Sequence, residues 1–158
     1  MTGAASDAVI GSGGVAFDAA IASARATLGL DAQVSARTWS VARTLPGARD
    51  FLLVVFGDDH HAAAIAAVDP VSGEVLESAR LPERNPHVLL SASEAIDRAG
   101  FGPDTQARLV WDPSAASRSP FYPLWQLHCE GRTVWVDSVR GTVWPKLDSA
   151  KAGGSVRP

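Results

Sequence analysis

A single cysteine, Cys129, rules out an intramolecular disulfide and any metal site built from several thiolates. One thiol in the whole chain fits a reducing compartment. Residues 1–14 contain no Lys or Arg and no apolar run of signal-peptide length, so no export signal is expected and a cytoplasmic location follows. The longest apolar stretches, Phe51–Phe56 and Ala62–Val68, fall far short of the roughly 20 residues that a membrane helix needs. A basic excess is also missing. Residues 1–82 hold five basic and nine acidic groups, and residues 83–158 hold nine and eight, so neither half offers a nucleic-acid surface. Lysine is scarce, with 12 of the 14 basic residues being Arg, which together with abundant Ala reads as the product of a GC-rich, bacterial genome. There is no G-x-S-x-G, no Walker loop, no G-x-G-x-x-G and no H-E-x-x-H. Gly11-Ser12-Gly13-Gly14 is followed by no Lys and reads as linker.

What is present is an ordinary globular composition, 46% hydrophobic and 20% charged over 158 residues. Ala20, Ile21, Ala24 and Leu28 form a helical stripe within Ala16–Leu28, with Gly29 as the stop. Strands are expected at Val34–Arg43, Asp50–Phe56, Ala62–Asp69 and Glu74–Ala79, separated by turns at Pro46-Gly47, Asp58–His61 and Pro70–Gly73. The order then recurs. Ser91–Ala99 reads as a helix with a capping box, Ser91 and Glu94, and Gly100 as its end. Strands follow at Gln106–Trp111, Leu124–Cys129, Arg132–Asp137 and Thr142–Trp144, with a Ser/Pro-rich loop over Asp112–Pro120.

The recurrence reaches single residues. Val68-Asp69-Pro70-Val71-Ser72-Gly73-Glu74-Val75 and Val136-Asp137-Ser138-Val139-Arg140-Gly141-Thr142-Val143 lie 68 positions apart and agree at five of eight positions. In such a turn the Asp carboxylate accepts from following amides, the Gly supplies positive φ, and the valines flank a hairpin. On these residues the chain resembles the PepSY family and its PepSY-like relatives, whose units run helix, then antiparallel sheet, and end on v-D-x-x-T/S-G-x-v. The matching residues are Val68, Asp69, Ser72, Gly73 and Val75, then Val136, Asp137, Gly141 and Val143, with Arg140 in place of the small hydroxyl residue. The resemblance covers roughly residues 17–81 and 90–147. It implies an α+β fold of two repeated helix-plus-antiparallel-sheet units and a binding or inhibitory module without catalytic residues. A single cystatin-like or NTF2-like curved sheet with a helix is the alternative fold. The expected organisation is a tail over 1–15, units over 16–82 and 83–148, and a tail over 149–158.

Each candidate for chemistry has a plainer reading beside it. Asp58-Asp59-His60-His61 offers metal-ligating side chains, but lacks the spacing of known sites and reads as a polar hairpin tip. His128 and Cys129 are neighbours on a strand and face opposite ways, so the thiol reads as a small buried hydrophobe. Four of the five tryptophans lie in the second half. Trp125 and Trp135 are expected on adjacent strands, where they could pair across the sheet, and the choice is between core packing and an exposed aromatic surface. If the chain has a binding surface, Trp125, Trp135, Arg132 and Trp111 are its candidates, with Arg132 and Arg140 able to stack on the rings.

These readings lead to a noncatalytic module that binds a protein partner or a small apolar ligand, as an accessory of a bacterial protein or enzyme. No metal, cofactor or nucleic acid is expected. The alternatives are a ligand-sequestering protein with a Trp-lined pocket, and a small enzyme using Asp58, Asp59, His60, His61 or His128.

Overall fold

The computed structural model describes residues 15–147, so the two tails expected from the sequence lie outside the described residues. The described chain is α+β, with two helices and two four-stranded antiparallel sheets. It divides into two compact units.

The first unit comprises residues up to Val41 and Asp50–Val88. Its helix α1 (Val15–Leu28) is followed by β1 (Ala36–Val41), β2 (Phe51–Gly57), β3 (Ala62–Val68) and β4 (Val75–Asn85), which pair in sequence order. Phe17, Ala20, Ala24 and Leu28 repeat at helical spacing and form one core with Leu52, Val54, Phe56, Ala64, Ala66 and Val68. The strand residues share a sheet face because Leu52 pairs with Val68, Val54 with Ala66 and Phe56 with Ala64. A large side chain thus sits opposite a small one at two of these three pairs, which lets the helix approach the sheet closely. Arg25 closes the helix end by donating to the carbonyls of Asp31 and Val34, with its guanidinium 5.2 Å from the Phe56 ring centre.

β4 is longer than the expected Glu74–Ala79 and runs to Asn85. Proline at position 82 marks a stop in a central strand, because it has no N–H for the ladder. Here β4 is an edge strand, and the register with β3 slips between Ala62 and Ala64, so the missing donor breaks no ladder bond that the sheet requires.

The second unit comprises residues 42–49 and the chain from Leu89. Helix α2 (Ala92–Ala99) carries the full capping box: Ser91 Oγ accepts from the Glu94 amide at 3.1 Å, and Glu94 Oε1 accepts from the Ser91 amide at 2.8 Å. Gly100 ends it in the left-handed region at φ 74°. The sheet runs β5 (Gln106–Val110), β6 (Leu124–Cys129), β7 (Arg132–Asp137) and β8 (Val143–Trp144). Residue 42 adds a parallel bridge to the edge of β5, its amide donating to Leu109 O at 3.0 Å and its carbonyl accepting from the Trp111 amide at 2.9 Å.

The strand register sorts the second sheet into two faces. Leu109, Trp125, Leu127, Val134 and Val136 lie on one, and all five are buried. Helix α2 covers this face. Trp125 Nε1 donates to the carbonyl of Leu90, just ahead of α2, and the Arg132 guanidinium stacks on Phe101, just after it. Val110, Leu124, Gln126, Arg108, His128, Trp135 and Trp144 lie on the opposite face.

Both units end on the same turn. In the first, Asp69 Oδ1 accepts from the amides of Val71 and Ser72 at 2.8 and 3.0 Å, and Asp69 N donates to Glu74 O at 2.8 Å. In the second, Asp137 Oδ1 accepts from Val139 and Arg140 at 2.8 and 2.7 Å, and Asp137 N donates to Thr142 O at 2.8 Å. Gly73 and Gly141 both have φ 78°. The expectation that one hairpin was written twice is met, down to the positive φ of each glycine.

Candidate functional site

A hollow in the second unit lies on the sheet face away from α2. It has a volume of about 220 Å³. Val110, Leu124 and Trp135 line it from the sheet, Trp111, Leu45 and Leu147 add apolar side chains, and Thr44, Asp112 and Gln126 supply the polar ones. Alternation creates the floor, since Leu124 and Gln126 are two residues apart on β6 and Trp135 pairs with Gln126 on β7. Trp135 and Trp144 are also register partners, so two indoles stand side by side on this face. Trp144 Nε1 is buried without a hydrogen-bond partner among the described residues.

The rim is held by a charge-assisted knot. Asp112 accepts from Arg43 Nε at 2.9 Å, from the Thr44 amide at 2.8 Å, from the Thr44 hydroxyl, and weakly from the Leu45 amide at 3.4 Å. Burial alone would push its carboxyl up, but the bonds from Thr44, Arg43 and Leu45 outweigh burial and hold it below the usual carboxylate range. The Arg43 guanidinium also lies 4.9 Å from the Trp111 ring centre. Trp111 donates to Ser117 Oγ at 3.2 Å, and that hydroxyl donates its one proton to the Tyr122 carbonyl at 2.7 Å, with the Ser119 carbonyl 3.0 Å away. The Ser/Pro-rich segment after β5 is therefore a bonded loop packed beside the hollow.

A second, smaller hollow of about 130 Å³ adjoins the first on the same face and shares Gln126 with it. Gln106, Ala107, Arg108 and His128 complete its lining. Arg108 Nε donates to Gln126 Oε1 at 2.8 Å, and His128 Nδ1 lies 2.8 Å from Thr133 Oγ1. The face thus passes from apolar at Leu124 and Trp135 to cationic and polar at Arg108 and His128.

The residues singled out in the sequence do not converge. Trp135 and Trp111 line the larger hollow. Trp125 does not: it is 5% exposed and belongs to the α2 face. The expected cross-sheet pairing of Trp125 with Trp135 is corrected, because Trp125 pairs with Val136 and Trp135 with Gln126, which puts the two rings on opposite faces. Arg132 also lies on the α2 side, over the Phe101 ring at 5.1 Å, and reaches neither hollow. Gln126, Arg108 and the Arg43–Asp112 pair were not foreseen. The alternation Leu124, Gln126, His128 carried a signal for the first of these, while a pair 69 residues apart leaves none.

At the hairpin tip of the first unit, Asp58 Oδ1 accepts from the amides of His60 and His61 at 2.8 and 2.7 Å, and Asp59 pairs with Arg37. These amide bonds hold the Asp58 carboxyl below its ordinary range, with the nearby His61 and His60 charges adding to the effect. The run is a self-bonded turn. Among the described residues no group of three or more His, Cys, Asp and Glu side chains comes together as a metal cage would require. Cys129 is partly buried while His128 is exposed, as opposite-facing strand neighbours must be.

No known family model matches the chain, and no curated protein matches it. Among solved structures, a Clostridium difficile 630 protein described as a "putative lipoprotein" is similar over 84% of this chain and 91% of its own, at 16% identity and a TM-score of 0.33. The cytoplasmic location expected from residues 1–14 is withdrawn as a correction. Those residues lie outside the described range, and the matched chain is itself described as a lipoprotein. No helix among the described residues is long and apolar enough to cross a membrane.

Proposed function

We propose that the protein is a noncatalytic binding module and that the sheet face carrying Trp135 takes an apolar side chain from a protein partner. The observation that carries this reading is the hollow itself: an apolar floor of Val110, Leu124 and Trp135 inside a polar rim. That arrangement resembles the pockets that receive anchor side chains at protein interfaces. Size supports a side chain over a small molecule. Small-molecule sites typically enclose about 300–1,000 Å³, and this hollow offers about 220 Å³. That is room for one bulky side chain and less than a buried drug-sized ligand usually occupies. A binding or regulatory role is also what the PepSY-like resemblance implies.

Photocrosslinking tests the reading. With p-benzoylphenylalanine at Gln126, on the rim, an extract of the native cells should yield a discrete protein adduct. The adduct should disappear when Trp135→Ala is added. The same crosslinker at Ala22, exposed on α1, should not give it. Equal adducts from both positions, or an adduct at position 126 that ignores Trp135→Ala, would reject this face as the binding surface.

A further inference from the structure

We infer that the partner segment is an extended chain with an apolar side chain and a carboxylate two residues from it. The inference rests on the proposed binding face and names the chemistry that would occupy it. Two hollows adjoin on that face and share Gln126. The first is apolar, over Leu124 and Trp135. The second presents Arg108 and His128. Along β6 the floor residues Leu124, Gln126 and His128 are each two positions apart, so the two hollows are offset by about 7 Å. Side chains at i and i+2 of an extended peptide point the same way with the same spacing. A segment lying along β6 can therefore fill both hollows at once.

Charge selects the second side chain. Arg108 is exposed, and its one bond among the described residues runs from Nε to Gln126 Oε1. That bond fixes the orientation of the guanidinium while leaving both terminal nitrogens to donate, and a planar fork of this kind suits a carboxylate. No carboxylate lines the smaller hollow, whereas the Asp112 carboxylate of the larger one is already held by Arg43 and Thr44. An acidic side chain thus meets its counter-charge at Arg108 and would be misplaced at the apolar floor.

The test uses three peptides and titration calorimetry at low salt, backed by amide and side-chain NMR shifts. Ac-Glu-Ala-Trp-Ala-Glu-NH2 places a carboxylate two residues away on either side, so it fits in both chain directions. It should bind saturably and shift the Trp135 indole and the Arg108 Nε–H signals. Ac-Gln-Ala-Trp-Ala-Gln-NH2 should bind about two- to fivefold more weakly, the range that a partly exposed ion pair supports. Ac-Glu-Ala-Ala-Ala-Glu-NH2 should show no saturable binding. Arg108→Gln, an exposed substitution that keeps a polar side chain, should reduce the first peptide to the level of the second. Equal affinity for the Glu and Gln peptides would overturn the carboxylate assignment while leaving the apolar pocket standing. Failure of both Trp peptides would overturn the pocket itself.

Discussion

Two tryptophans show how the same residue type takes different roles in this sheet. Trp125 is buried and its indole N–H is bonded to Leu90 O at 3.0 Å, whereas the buried indole nitrogen of Trp144 has no such partner among the described residues. A buried donor left unpaired costs about 1–3 kcal/mol, and a made bond contributes about 1 kcal/mol. Replacing each with Phe removes similar ring area, so the difference between the variants isolates the N–H. Trp125→Phe is expected to lose about 1–2 kcal/mol more stability than Trp144→Phe, measured by urea denaturation. Equal losses would mean that Trp144 Nε1 finds a partner in solution. The turn aspartates follow similar logic. Because Oδ1 of Asp69 and of Asp137 each accepts from two amides, Asn at either position should cost less than Ala. The Ala variants should lose about 1–2 kcal/mol.

At the scale of elements, the hairpin turns and the rim knot are the parts whose failure is easiest to read. Gly73→Val and Gly141→Val force a β-branched residue to φ near 78°, and each should destabilise its unit by about 1–3 kcal/mol. Unchanged denaturation midpoints for both would contradict the shared turn. At the rim, Asp112 has its folded-state pKa lowered. A lowered pKa means that the stabilisation is present above the ordinary carboxylate range of about 4 and is lost as pH falls through the lower folded value. Wild type should therefore lose stability on acidification more steeply than Asp112→Asn, and the two curves should converge at low pH. Parallel curves would show that Arg43 and Thr44 do not hold the carboxylate.

Elements were legible because they rest on local signals. The stripe through Ala20, Ala24 and Leu28, the Ser91–Glu94 box and the two V-D-x-V-x-G-x-V turns each lie within a few residues of chain. The length of β4 was not legible, because Pro82 is a stop signal whose force depends on whether the strand is an edge. Nor was the site. Which face Trp125 and Trp135 occupy depends on a one-residue difference in pairing register, and the partner of Asp112 lies across the unit in residues 43 and 44.

At the scale of the whole molecule, two units repeat one helix-plus-sheet plan. In the first unit, small alanines on β3 face the helix. In the second, the sheet face away from α2 carries Leu124, Trp135 and Trp144. The proposed binding reading rests on that second face. The most direct test of that account follows the five indole N–H signals by NMR while N-acetyl-tryptophanamide is added up to its solubility. The account predicts saturable shifts at Trp135 and Trp111, which line the hollow, and none at Trp39 or Trp125, which are core. Saturable shifts at Trp125 with Trp135 unmoved would place binding on the other face and contradict it.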